Sequence, residues 1–251
     1  MDLENKVAIV TGSSRGIGRA IALRLAAAGA DVVVNYLRNR ESAEGTAAAV
    51  RDLGRRAVVA KGNVRQPEDL DRLVAAAVDD LGGLDILVNN AASGYVRPIA
   101  EQRVKGWDWT MDINARAALF LGQRAAPVMA ARGGGAIVNI SSLGSQRVMP
   151  EYVVIGASKA ALEAITRYMA VEFRPAGIVV NAVSGGVVET DALKHFPGRE
   201  MMLETGLSRT PAGRIITPED IAGVVAFLCT PAAAMIVGQT VVVDGGYSIV
   251  I

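Results

Sequence analysis

With 251 residues, 51% of them hydrophobic and 20% charged, the chain is long enough to bury the core of one large α/β domain or two small ones. A net charge of +1 gives no nucleic-acid footprint and no acidic tail. The single cysteine, Cys229, rules out an internal disulfide, fits a reducing compartment and lies in the apolar run VVAFLC, where a core thiol is expected rather than a nucleophile.

MDLENK runs directly into a strand pattern, without the basic start and apolar stretch of a signal peptide. No segment approaches the roughly 18 uncharged residues of a membrane span, so a soluble, cytoplasmic protein with no membrane partner is expected. Strands are predicted over 6–10, 31–36, 57–62, 85–90, 135–141, 178–183 and 239–246. They are continuous apolar runs rather than alternating ones, as strands buried on both faces should be. Helical spacing fills the gaps, notably over 18–29 and 157–173, with Gly29 placed to end the first of these. Alternation of this kind predicts one α/β domain over 1–251, a Rossmann-type doubly wound parallel sheet of about seven strands with helices on both faces. The stretch 187–214 breaks the rhythm after a strand's carboxyl end and is expected to be a substrate lid.

The first strand leads into VTGSSRGIGRAIA, with glycines at 12, 16 and 18. A tight turn, close backbone approach to a pyrophosphate and a helix N-terminus aimed at the phosphates all require such glycines at a strand–helix junction. An NAD site would place Asp or Glu about 20 residues on. Here the second strand ends in Asn35-Tyr36, followed by Leu37 and Arg38, with no carboxylate to repel a 2′-phosphate. Arg15 and Arg38 can clamp that phosphate, which favours NADPH.

Over nearly its whole length the sequence resembles the short-chain dehydrogenase/reductases, on TGSSRGIG (11–18), NNAA (89–92), DINA (112–115), ISS (140–142), Ser158-Lys159, NAVSGG (181–186) with Thr190, and VDGG (243–246). The resemblance implies hydride transfer with a nicotinamide dinucleotide, usually in a homotetramer or a dimer. It implies cofactor contacts at Gly12, Ser14, Arg15, Gly16, Ile17, Gly18, Leu37, Arg38, Asn63, Val64, Asn90, Ala91, Lys159, Gly185, Val188 and Thr190. It also implies a catalytic set of Tyr152, Lys159, Ser142 and Asn114, with Lys159 on the ribose and Asn114 holding a water chain to it. No metal is implied, and His195, the only histidine, has no ligand constellation around it.

One departure carries information. The family's tyrosine stands four residues before the lysine, where this chain has Ile155; its tyrosine is Tyr152, seven before. Seven residues return to nearly the same helix stripe but about 10 Å further along the axis. A hydroxyl moved three residues, from position 155 to 152, suits a charge developing away from the hydride path. In an α,β-unsaturated thioester, hydride reaches the β-carbon while charge builds on the carbonyl oxygen. Tyr152-x6-Lys159 is similar to the motif of enoyl-acyl-carrier-protein reductases, and further stretches such as WDWTMDINA (107–115) and SSLGS (141–145) resemble the NADPH-dependent FabL type. That implies an acyl-carrier-protein or coenzyme A thioester as substrate. A β-ketoacyl or other carbonyl reductase, and a catalytically silent NADP-binding regulator, stand as alternatives.

Overall fold

The computed structural model describes residues 2–188 and 199–250. Thr190 and His195 lie outside the described residues, with the rest of 189–198 in the expected lid. Seven strands form one sheet: β1 (Val7–Val10), β2 (Asp31–Tyr36), β3 (Ala57–Lys61), β4 (Ile86–Asn89), β5 (Gly135–Ser142), β6 (Ile178–Gly185) and β7 (Thr240–Val243). Their spatial order is β3-β2-β1-β4-β5-β6-β7 and every pairing is parallel. Each predicted strand is present to within a few residues. The apolar runs are continuous because helices cover both faces, and β1, β2 and β4 are buried at every position.

One face carries α1 (Gly16–Ala27), α2 (Arg40–Asp52) and α8 (Pro218–Leu228), whose Ile21, Leu25, Val50 and Val225 pack on Val32, Val34 and Val88. The other carries α3 (Pro67–Ala75), α5 (Ala117–Ala131) and α6 (Val153–Glu172), with Leu70, Leu121, Met129 and Met169 against Ile9, Leu87 and Ile137. Full burial of such side chains stabilises the fold by about 1.5–3 kcal/mol each. The helix α4 (Val104–Met111) continues through a π-helical turn, Asp112–Arg116, into α5. In the second half of the expected lid, α7 spans Arg199–Arg209, while Val188 forms an isolated parallel bridge with Ile216.

Chain direction away from β1 reverses at its border with β4, so the carboxyl ends of β1 and β4 open a crevice. Gly29 follows the C-cap of α1 at φ +110°, turning the chain from that helix into β2.

Candidate active site

The crevice floor is the turn between β1 and α1. Gly12 and Gly16 have φ of +64° and +55°, a left-handed backbone that other residues rarely adopt. A Cβ at Gly18 would lie 2.5 Å from Asn90 Nδ2 and closer still to the Gly12 carbonyl oxygen. Arg15, the N-cap of α1, has no side-chain acceptor for the helix's first N–H groups, which together with the positive end of α1 can serve an anion. These features fit a dinucleotide pyrophosphate.

Three residues hold the turn in place. The Gly12 N–H donates to Asn35 Oδ1 at 3.0 Å, while Asn35 Nδ2 donates to the carbonyls of Ala60 and Gly62, both at 3.2 Å. Asn90 Nδ2 donates to the carbonyls of Thr11 and Gly12 at 2.8 and 3.2 Å. Thr11 Oγ1 accepts from the N–H groups of Asn90 and Ala91 at 3.0 and 2.9 Å. Asn35 and Thr11 were not among the sequence-derived site residues, yet both shape the turn. Ser14 accepts at its carbonyl from Thr46, and Ile17 packs at the edge of the core.

Beyond the turn, Arg15, Leu37 and Arg38 are exposed, and neither arginine is ion-paired among the described residues. After β3, the Asn63 N–H donates to Asp69 at 2.6 Å and Val64 is buried. Next to them Arg65 stacks on Trp109 at 4.4 Å and pairs with Asp112 at 3.0 Å. Gly185 closes β6 against Ile221 of α8, and Gly186 abuts Asp244.

The second cluster lies where β5 runs into α6. Lys159 is buried and its Nζ donates to the Ile140 carbonyl at 2.6 Å. Loss of solvent brings the amine down to about 8, with the Glu163 carboxylate pulling the other way. Tyr152 is the N-cap of α6, and its hydroxyl sits 3.4 Å from Ser142 Oγ. Burial holds the phenol above its ordinary range while the Ser142 hydrogen bond acts to lower it, so the hydroxyl is a proton donor at neutral pH. Its ring rests on glycine: a Cβ at Gly144 would lie 2.6 Å from Tyr152 Cε1, and one at Gly156 3.8 Å from Cδ1. The chain reaches Tyr152 through Glu151 at φ +62°, a left-handed conformation that costs a non-glycine residue energy.

Ile155 is buried and occupies the space that a Cβ on Gly94 would need. Asn114, on the π-helical turn, donates to the Ser93 carbonyl and to Ser158 Oγ, each at 2.9 Å, and accepts from the Ser93 N–H at 2.9 Å. One lone pair of its carbonyl oxygen remains for a water. Ser93 also accepts from Trp109 Nε1 at 3.1 Å, so the tryptophan is tied to the loop after β4 as well as packed.

The family model described as Enoyl-(Acyl carrier protein) reductase matches residues 12–248. The 1-cyclohexenylcarbonyl-CoA reductase of Streptomyces collinus is 41% identical over 247 residues, 98% of this chain and 88% of that protein. The chain belongs to the short-chain dehydrogenase/reductase family. Among other members, the dehydrogenase/reductase SDR family member 4 of Sus scrofa is 39% identical over 97% of this chain and 88% of its own. The structure of a 7α-hydroxysteroid dehydrogenase complexed with NADH and 7-oxo glycochenodeoxycholic acid superposes with a TM-score of 0.93 at 35% identity, covering 98% of this chain and 95% of that one. The protein is thus a short-chain oxidoreductase, related to a coenzyme A thioester reductase, on the fold that holds a nicotinamide dinucleotide in that complex. Its Cys229 is protonated at neutral pH, burial pushing the thiol up to about 12, so it is no nucleophile.

Proposed function

We propose that the protein reduces the carbon–carbon double bond of trans-2-enoyl thioesters with NADPH, as an enoyl-acyl-carrier-protein reductase. The observation that carries this reading is the pairing of a supported, proton-bearing Tyr152 with a buried Ile155 in the family's usual tyrosine position. The name of the Streptomyces collinus relative points the same way, since a 1-cyclohexenylcarbonyl thioester has its double bond conjugated to the carbonyl.

NADPH, when bound, supplies the hydride. Gly12, Gly16, Gly18 and the α1 N-terminus would hold the pyrophosphate, with Ser14 and Ile17 in the same turn. Arg15 and Arg38 would clamp the 2′-phosphate, with Leu37, Asn63 and Val64 along the adenosine. Asn90, Ala91, Gly185, Val188 and Thr190 would border the nicotinamide half, and Lys159 would hold its ribose. Ile155 presents an apolar wall to the double bond. As the β-carbon gains hydride, charge moves to the thioester oxygen, where the Tyr152 hydroxyl donates a hydrogen bond. Desolvation strengthens that bond, and removal of one such donor costs on the order of 10²–10³ in kcat. The resulting enolate takes its proton on the α-carbon from Tyr152 or from a water held by Asn114. Ser142 keeps the Tyr152 hydroxyl oriented.

Carbonyl reduction is the second reading, favoured by the Ser142–Tyr152 pair and by the likeness to a dehydrogenase bound to a 7-oxo steroid. NADPH oxidation with crotonyl and acetoacetyl thioesters separates the two. Turnover of the crotonyl substrate, lost about 100-fold or more in Tyr152→Phe, is expected; turnover of the keto substrate alone refutes the proposal, and binding without turnover supports a regulator. Either an acyl carrier protein or coenzyme A can present the thioester. A homotetramer or dimer in the cytoplasm is proposed on Tyr168 and Val171, 71% and 74% exposed on α6, and Ile249 at 82% near the C-terminus. Sedimentation as a monomer at micromolar concentration would refute the assembly. Among the described residues no helix is long and apolar enough to cross a membrane, and no cluster of three potential metal ligands is present.

A further inference from the structure

Next to the Lys159–Tyr152 cluster the mechanism leaves a buried ionisable group without a task. Glu163, one turn beyond Lys159 on α6, is 5% exposed. Its Oε1 accepts from Ser141 Oγ and Ser145 Oγ, both at 2.6 Å, and its Oε2 accepts from Gln146 Nε2 at 3.2 Å. A carboxylate withdrawn from water at a cost of several kcal/mol persists only when donors surround it. All three donors come from one short segment, Ser141 to Gln146, which runs from β5 into the loop before α6. That segment carries Ser142, which meets the Tyr152 hydroxyl, and Gly144, on which the Tyr152 ring rests. Ser141 and Ser142 are paired with Ser184 and Gly185 of β6; beyond them the loop's own bonds among the described residues are the Gly144 N–H to Ser142 Oγ and turn hydrogen bonds from Gln146 and Arg147 to Leu143, while the Ser142 carbonyl competes with Glu163 for the one Ser145 hydroxyl proton.

We propose that Glu163 is a positioning residue for both halves of the site, its carboxylate clamping the Ser141–Gln146 segment under Tyr152 and standing one turn from Lys159 on the same stripe of α6. The geometry separates the two actions. Clamping needs acceptors at both oxygens; holding the lysine cationic needs the negative charge. Charged groups on the elements packed against α6 are Lys105 and Asp108 on α4, Asp112 and Arg116 on the π-helical turn, Arg124 on α5 and Arg174 after α6. Of these, Asp112 pairs with Arg65 and Arg116, and Arg124 with Asp71. Tyr152, on the edge of the same helix, is the other titratable group of the site. The Glu163 carboxylate acts against the effect of burial on Lys159.

The inference rests on the nicotinamide half of the proposed function and not on which bond is reduced. NADPH binding, followed by its fluorescence between about pH 6 and pH 10, is the direct test. In the wild type, binding should weaken as Lys159 loses its proton, with a midpoint near 8. Glu163→Gln keeps the size but removes the charge and leaves one acceptor in place of two, so its midpoint should fall and the clamp should slacken as well. Binding should weaken about threefold or more at pH 8, against less than about 1.5-fold at pH 6. Glu163→Asp keeps the charge on a shorter arm; its midpoint should stay near the wild-type value while kcat falls because the clamp is slack. An unmoved midpoint in folded Glu163→Gln overturns the proposal. Should that variant not fold, a midpoint that drops in Glu163→Asp, or a wild-type midpoint above about 10, the range of an ordinary lysine, overturns it instead. Turnover of only the keto substrate would displace the enoyl reading and leave these binding midpoints as they are.

Discussion

Gly144→Ala tests whether the Tyr152 hydroxyl is held where the chemistry needs it. The new methyl would lie 2.6 Å from Tyr152 Cε1 and 2.7 Å from Cδ1, where ordinary contact begins at 3.4 Å, a shortfall of about 0.8 Å. A Cβ at Gly156 would be 3.8 Å from Cδ1, and the Gly144 carbonyl lies against Gly156, so the loop is packed at this point. The ring must therefore yield, and the hydroxyl moves by roughly as much or more. Displacement of a catalytic group by about 1 Å costs on the order of 100-fold. The expected outcome is a fall of about 30- to 100-fold in kcat for crotonyl thioester, approaching the loss in Tyr152→Phe. NADPH affinity should change little, because Gly144 touches neither the glycine turn nor Lys159. A Gly144→Ala protein that retains wild-type kcat would show that Tyr152 need not be held in this pose, and the proposed donor role would fail. Equal losses in kcat and in NADPH affinity would instead mean a general distortion of the loop.

Two further outcomes follow from charge. Arg15→Ala and Arg38→Ala should each raise the KM for NADPH about 10-fold or more, the cost of losing a charge-assisted hydrogen bond, while sparing NADH; equal effects on the two cofactors would remove the 2′-phosphate assignment. Lys159→Met should raise the unfolding free energy of the cofactor-free protein at pH 7: a folded-state value of about 8 against 10.5 corresponds to about 3 kcal/mol, offset by about 1 kcal/mol for the lost bond to Ile140. Between those two values the unfolded lysine keeps a proton that the folded one has released, so wild-type stability rises with pH and the variant's advantage should shrink from about pH 8 to pH 10.5. Urea melts at both ends of that window check it, and an advantage that grows with pH would refute the burial argument.

The parts of this molecule that were legible in the sequence are those written in contiguous residues. Apolar runs such as DVVVNY and the spacing of Gly12, Gly16 and Gly18 are local patterns with one geometric solution each. The Tyr152–Lys159 spacing is legible for the same reason, since one helix carries both. What was not legible depends on contacts across the fold. Asn35 looked informative only for not being an acid, yet its side chain joins the glycine turn to the end of β3. Trp109 is one aromatic of WDWTMDINA in the sequence, and its 16-residue reach back to Ser93 shows that it ties down the loop after β4. Glu163 was one acid in an amphipathic helix until Ser141, Ser145 and Gln146 converged on it. The positive φ of Glu151 has no signature at all, because glutamate is not a residue that turns usually recruit.

These long-range contacts bear on whether Ile155 marks decay or redesign. A site that had merely lost its tyrosine would keep a cavity or an ill-fitting side chain at 155, and nothing would be shaped around Tyr152. Here the isoleucine is buried against Gly94, in a loop that has given up a side chain to admit it. Three residues earlier, Gly144 and Gly156 leave room for the Tyr152 ring, Ser142 meets its hydroxyl, and a strained Glu151 delivers the chain to that point. The cost of left-handed backbone at Glu151, on the order of 1–3 kcal/mol, persists only where the surrounding structure enforces it. Strain at Glu151, two glycines beside the ring and a buried carboxylate bonded to the same loop act on one residue, Tyr152. They converge on the position of a single hydroxyl, that of Tyr152 beside Ser142, the group that the proposed enoyl reduction asks to donate to a thioester oxygen.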